Sequence, residues 1–126
     1  MKIKTVLFKC YMVVLLSALS CTNKNDLPDP LEAGWQGKAV CEVLEENKDV
    51  RILKCTFKPG IGHEKHYHNP HFGYTLSGGK FKITDTAGTR DVNVPTGYSF
   101  SKDSVTVHEV LNIGETTAVF LIVEYN

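Results

Sequence analysis

Four of the five histidines of this chain, His63, His66, His68 and His71, fall within nine residues, and the fifth, His108, follows about forty residues later. His66 and His68 are two apart, so on a β-strand both imidazoles leave from the same face. Two such nitrogens can share one metal ion at about 2.0–2.1 Å each. A pair alone is weak, because H-x-H also occurs on surfaces. His108 strengthens it: in Val105-Thr106-Val107-His108 the alternation puts His108 on the face opposite the valines, where a second strand could supply a third ligand. His71 is the candidate fourth ligand. His63 reads as a loop residue.

Neutral imidazoles suit iron, zinc, nickel and copper. With open positions left on the ion, such a site could polarise a chelating anion, an enolate or a carboxylate. Iron(II) would in addition admit dioxygen. No catalytic acid or base is assigned. Glu64 shares parity with His66 and His68 but reads as a surface charge, Tyr74 has no determined facing, and Tyr67 should point away from the histidine face.

Elements able to hold these residues are short. Apolar runs are punctuated by Pro59-Gly60, Asn69-Pro70, Ser77-Gly78-Gly79, Asp85 to Gly88, Pro95-Thr96-Gly97, Asn112 and Gly114. Turns this closely spaced argue for a sandwich or barrel. No segment after residue 31 keeps a helical period for three turns. Thr117 to Tyr125 is nearly continuous apolar sequence and reads as a central, covered strand. Cys41 and Cys55 lie in two runs, Lys38 to Glu45 and Val50 to Lys58, joined by the turn Glu46-Asn47-Lys48-Asp49. A fold at Lys48 puts Cys41 opposite Cys55 and Val43 opposite Leu53, within reach of a disulfide in an oxidising compartment. Two small buried thiols are the alternative.

The N-terminus does not read as folded protein. Lys2 and Lys4, two apolar runs, and the small residues Ser17, Ala18 and Ser20 before Cys21 follow the order of an export signal. Ser17-Ala-Leu-Ser-Cys21 resembles a bacterial lipobox, in which the cysteine becomes the lipid-modified first residue. That divides the chain into a signal (1–20), a polar, proline-containing tether (21–35) and a domain (36–126), and places the protein on the bacterial cell envelope, periplasmic or surface-facing, held to the membrane by lipid on Cys21. The chain has fourteen basic and fourteen acidic residues; loss of Lys2, Lys4 and Lys9 leaves the mature part about three charges acidic. No basic stripe interleaved with aromatics is present, which argues against a nucleic-acid partner.

The segment Gly60, five residues, His66-x-His68, then His71, six residues and Gly78 resembles the first cupin motif. Gly97, ten residues, His108, three residues and Asn112 resembles the second. Together they span roughly Val50 to Tyr125. The resemblance implies an all-β jelly-roll barrel (double-stranded β-helix) holding one divalent ion (Fe, Zn, Ni, Cu or Mn) on His66, His68 and His108. His71 stands where the family places a glutamate, with spacing one residue shorter. Asp103 and Val105 replace the family's proline and glycine before His108. The run Tyr74 to Asp85, with Asn112-Ile-Gly-Glu, is most similar to cupins associated with β-alanine degradation. The function this implies is a metal-dependent dioxygenase acting on a small polar substrate. A non-catalytic small-ligand or sugar-binding lipoprotein and a cupin isomerase or hydrolase are the alternatives, and edge-strand pairing suggests a homodimer.

Overall fold

Each turn signal falls between strands or at a strand end. The computed structural model describes residues 26–126, and the residues read as an export signal, with Cys21, lie outside them. Eleven strands follow: β1 (Gly34–Trp35), β2 (Lys38–Ala39), β3 (Cys41–Glu46), β4 (Val50–Phe57), β5 (Gly62–His68), β6 (His71–Ser77), β7 (Gly79–Asp85), β8 (Gly88–Val94), β9 (Ser99–Lys102), β10 (Thr106–Asn112) and β11 (Ala118–Tyr125). There is no α-helix among the described residues.

Two antiparallel sheets form the barrel, one ordered β5-β10-β7-β8 and the other β3-β4-β11-β6-β9; β1 and β2 make a separate small pair. β11 is central, flanked by β4 and β6. Its inward positions Ala118 and Ile122 are buried together with Leu53, Phe57, Phe81 and Val110. Phe57 packs edge-on against Phe81 and Phe120, at centroid distances of 5.4 and 5.9 Å, the geometry that ring quadrupoles favour.

Turn chemistry fixes the register. The Asn47 side chain accepts from the backbone N–H groups of Asp49 and Val50 at 2.9 and 3.1 Å and closes the β3–β4 hairpin. Cys41 pairs with Cys55 and Val43 with Leu53, and the two cysteines form a disulfide. The two motif glycines ahead of the histidines, Gly60 and Gly97, have φ of +78° and +84°, a region that L side chains adopt only under strain.

The chain from Pro28 onward, read as the end of the tether, is packed on the barrel. Pro30 and Ala33 are buried. The Tyr67 N–H donates to the Pro28 carbonyl at 3.2 Å.

Candidate metal centre

His66 and His68 sit on β5, and both are buried. On the neighbouring β10, His108 lies directly across from His66, and Thr106 across from His68. The strand pairing thus delivers the third histidine to the first two. One nitrogen from each of His66, His68 and His108 lies within 4.8 Å of the others. Ring centroids are 4.7 Å apart for His66–His68 and His66–His108, and 5.1 Å for His68–His108.

Tautomers follow from the partners. The Nδ1 of His66 is 2.6 Å from the Glu64 carbonyl oxygen, which can only accept, so Nδ1 carries the proton. The His68 Nδ1 likewise donates to Glu124 Oε1 at 2.8 Å. In the neutral rings both Nε2 atoms are therefore bare, and they face each other at 3.0 Å. Two lone pairs at that distance repel unless a cation lies between them. Protonating His66 is the costlier remedy, because burial and the neighbouring imidazoles His63, His108 and His68 push its pKa down to about 2. Burial, then His68, His63 and His71, push His108 to about 3. The donor set therefore fits a divalent metal, with outer hydrogen bonds that fix each ring's orientation.

His71, at the start of β6, stands beside His68 with ring centroids 4.8 Å apart and is not one of the three whose nitrogens converge. Its Nδ1 donates to the Asn69 carbonyl at 2.7 Å, which leaves Nε2 to act as ligand or base. Burial lowers its pKa, against the pull of that carbonyl.

His63 was expected in a loop and lies instead inside the barrel on β5. A β-bulge is the reason. His66 pairs with His108 but His63 pairs with Val110, so β5 spends one residue more than β10 over that step. The extra residue flips the alternation, turning His63 inward and leaving Glu64 exposed. The His63 ring lies over His66 with centroids 3.8 Å apart and an interplanar angle of 31°. Its Nε2 contacts the Pro30 carbonyl at 3.0 Å, and burial with the charge effect of His68 lowers its pKa to about 4.

Sequence reasoning missed Glu124. It is 1% exposed, and one carboxylate serves two donors: Oε1 accepts from His68 Nδ1, while Oε2 accepts from Arg51 Nε and Nη2 at 3.1 and 2.7 Å. Burial by itself raises its pKa; the hydrogen bonds from His68 and Arg51 outweigh that and hold it below the ordinary carboxylate value. Arg51 reaches on to Asp29 Oδ2 at 2.9 Å. Asp29, Arg51 and Glu124 carry one excess negative charge behind His68, which favours a cation at the histidines although no carboxylate is among the converging groups. The available signal was a lone acid on the inward parity of an otherwise apolar strand.

Asn112 serves the scaffold. Its amide nitrogen donates to the carbonyls of Phe57 and Thr116, and its oxygen accepts from the Gly114 N–H, all at 2.9 Å. Glu64 accepts from the Gln36 N–H at 3.2 Å, and Tyr74 is exposed, so neither reading as an acid or base gains support. Between the sheets lies a cavity of about 750 Å³ walled by His68, His71 and His108, with Phe57, Phe81, Phe120, Arg90 and Lys102 also on its lining.

No protein-family model matches the sequence, and no curated protein does. Solved structures do. A cupin domain from Bordetella pertussis Tohama I is 22% identical with a TM-score of 0.64, over 69% of this chain and 92% of that one. A predicted oxalate decarboxylase from Thermotoga maritima is 26% identical with a TM-score of 0.52, over 66% and 76%. The polyketide cyclase RemF from Streptomyces resistomycificus is 17% identical with a TM-score of 0.59, over 82% and 76%. The chain therefore has the cupin fold, a double-stranded β-helix, with three histidines gathered inside it.

Proposed function

We propose that this protein is a metal-dependent enzyme of the cell envelope that oxidises a small chelating anion with dioxygen. The observation that carries the reading is the pair of bare Nε2 atoms of His66 and His68 at 3.0 Å, with His108 completing a three-nitrogen set. In this reading His66, His68 and His108 hold one divalent ion, and His71 is the candidate fourth ligand. Bound there, the ion supplies Lewis acidity and, as iron(II), the electrons for dioxygen chemistry.

The protein's own groups do the rest. Glu124 keeps His68 in one tautomer, and the Glu64 carbonyl does the same for His66. Phe57, Phe81 and Phe120 give the cavity apolar lining, and Lys102 offers positive charge to an anion entering it. Oxalate, named in the description of the Thermotoga neighbour, is a small chelating anion of this class. Asp85 is the one carboxylate on the cavity lining, and Arg90 engages it at 3.0 Å. With that carboxylate engaged, and His71 taken up as the candidate fourth ligand, the arrangement favours oxidation or plain ligand binding over hydrolysis or isomerisation, which need a free acid or base. A closer kinship with β-alanine-degradation cupins rests on the run Tyr74 to Asp85 and is part of the same proposal.

The test is elemental analysis of protein purified without a histidine tag, followed by iron(II) loading and dioxygen uptake with small enolates and carboxylates. Uptake above that of His108→Ala supports the enzyme. Saturable binding with no uptake supports the second reading, a ligand-binding envelope cupin. Absence of any metal overturns both.

A further inference from the structure

The strand that carries the histidines, β5, is an edge of its sheet, and what covers that edge is the N-terminal segment. The Pro28 carbonyl takes the N–H of Tyr67, the residue between His66 and His68. Gln36 N–H meets Glu64, and the Trp35 ring lies so close to Gly62 that any Cβ there would collide with it. Covering an edge is expected of any exposed strand. Two further contacts go past coverage, because consecutive residues of this segment each end on a different histidine of the converging set.

Asp29 binds Arg51, Arg51 binds Glu124, and Glu124 orients His68, at 2.9, 2.7 and 2.8 Å. The next residue, Pro30, presents its carbonyl to His63 Nε2, and the ring of His63 lies over that of His66. Asp29 is itself fixed: its Oδ1 accepts from the N–H groups of Leu31 and Glu32 at 2.8 and 2.9 Å, while Oδ2 is left for Arg51. The turn over residues 29–33 is closed by the Ala33 N–H on the Asp29 carbonyl at 2.9 Å.

Resting on the metal reading above, we propose that Pro28–Ala33 is a positioning strap for the metal, with Asp29 setting His68 through Arg51 and Glu124, and Pro30 setting His66 through His63. Asp29 and His63 touch no metal in this account; they act through the rings that do. The site is then complete only when the strap is docked, and its affinity is coupled to a segment distant in sequence from every ligand.

Two substitutions in the full chain separate the contributions. Asp29→Asn keeps an oxygen for Leu31 and Glu32 and removes the charge that Arg51 meets. His63→Phe keeps a ring over His66 and removes the donor to Pro30. Dissociation constants for zinc by chelator competition, the visible spectrum of the cobalt(II)-loaded protein, and the melting of metal-free protein are measured for each. Outer partners of metal ligands typically carry about ten- to a hundredfold in affinity. The double variant is expected to weaken zinc binding by that order, each single variant by less, with altered cobalt(II) bands. If the strap only staples the fold, metal-free melting falls while affinity and spectrum stay those of the wild type, and the proposal is overturned. Should His63→Phe fail to fold, Asp29→Asn decides by the same criteria. Wild-type protein that binds no metal sinks the metal reading itself; wild-type affinity in both variants, with His66→Ala and His108→Ala losing the ion, sinks the strap alone.

Discussion

Glu124 and Arg51 face each other across the β11–β4 pair, and the same carboxylate that accepts two Arg51 nitrogens reaches His68 with its other oxygen. A 1%-exposed carboxylate between two such partners is satisfied only while both remain. Arg51→Met leaves that charge buried and half-partnered, and breaking one side of a buried pair costs about 3–5 kcal/mol. Arg51→Met combined with Glu124→Gln should recover part of the loss, because the amide leaves no buried charge. Urea unfolding of metal-free protein measures both. Equal stability of the single and double variants would show that the charge is not what the arginine offsets.

His71 is the one histidine whose part in the site depends on a ligand geometry the converging trio does not include. His66→Ala and His108→Ala should lose the ion. His71→Ala should keep it if His71 only flanks the site, and lose affinity if it ligates. His71→Glu should then keep metal and move selectivity towards ions that accept oxygen donors. Elemental analysis of the four variants distinguishes these cases. Full metal content in both His66→Ala and His108→Ala would sink the metal-centre reading.

The trio was legible because two of its members obey a period of two on one strand and the third sits at a motif spacing before Asn112. The Cys41–Cys55 register was legible for a similar reason, since a short polar turn fixes the hairpin pairing. His63 was not, because alternation counted from His66 points it outward, and only the bulge at Glu64–Lys65 turns it in. Glu124 was hidden at the end of an apolar strand, where its value depends on β11 aligning it with Arg51, far away in sequence. The strap read as linker since prolines make a segment extended; its docking rests on long-range contacts, Asp29 with Arg51, Pro28 with Tyr67 and Pro30 with His63, which no local pattern encodes.

Acid should destabilise the metal-free protein. His63, His66, His71 and His108 all have pKa values lowered in the folded state, so the unfolded chain binds more protons. Their contribution is full above the unfolded value near 6.5 and is lost as pH falls through the folded values, a window from about 6.5 down to about 2. Each proton taken up on unfolding contributes a slope of about 1.4 kcal/mol per pH unit. Urea midpoints should therefore fall steadily from pH 6.5 to 4, and His63→Phe should flatten the slope. A midpoint independent of pH across that range would contradict the burial of neutral imidazoles.

The Cys41–Cys55 bond closes a hairpin with a sequence separation of 14. For a loop of about 15 residues the chain-entropy model gives roughly 3 kcal/mol. Reduction of the protein, or Cys41→Ser with Cys55→Ser, should lower stability by that order. Intact mass under non-reducing conditions should be two hydrogens below the thiol form. Two alkylatable thiols in native, air-exposed protein would refute the bond.

The export reading concerns residues outside those described, and the strap gives it a spatial consequence. If Cys21 carries lipid, acyl chains contribute about 0.8 kcal/mol per buried methylene, enough for two or more chains to retain a polar domain at a membrane. From Cys21 to Pro28, where the chain docks on the barrel, seven residues reach no more than about 25 Å when fully extended. The barrel would then be held against the bilayer surface, with the strap taking up any pull between them. Cells carrying Cys21→Ser should release the protein from the membrane fraction, while Asp29→Asn should leave fractionation unchanged. A Cys21→Ser protein that stays as membrane-bound as the wild type rules out the lipid anchor.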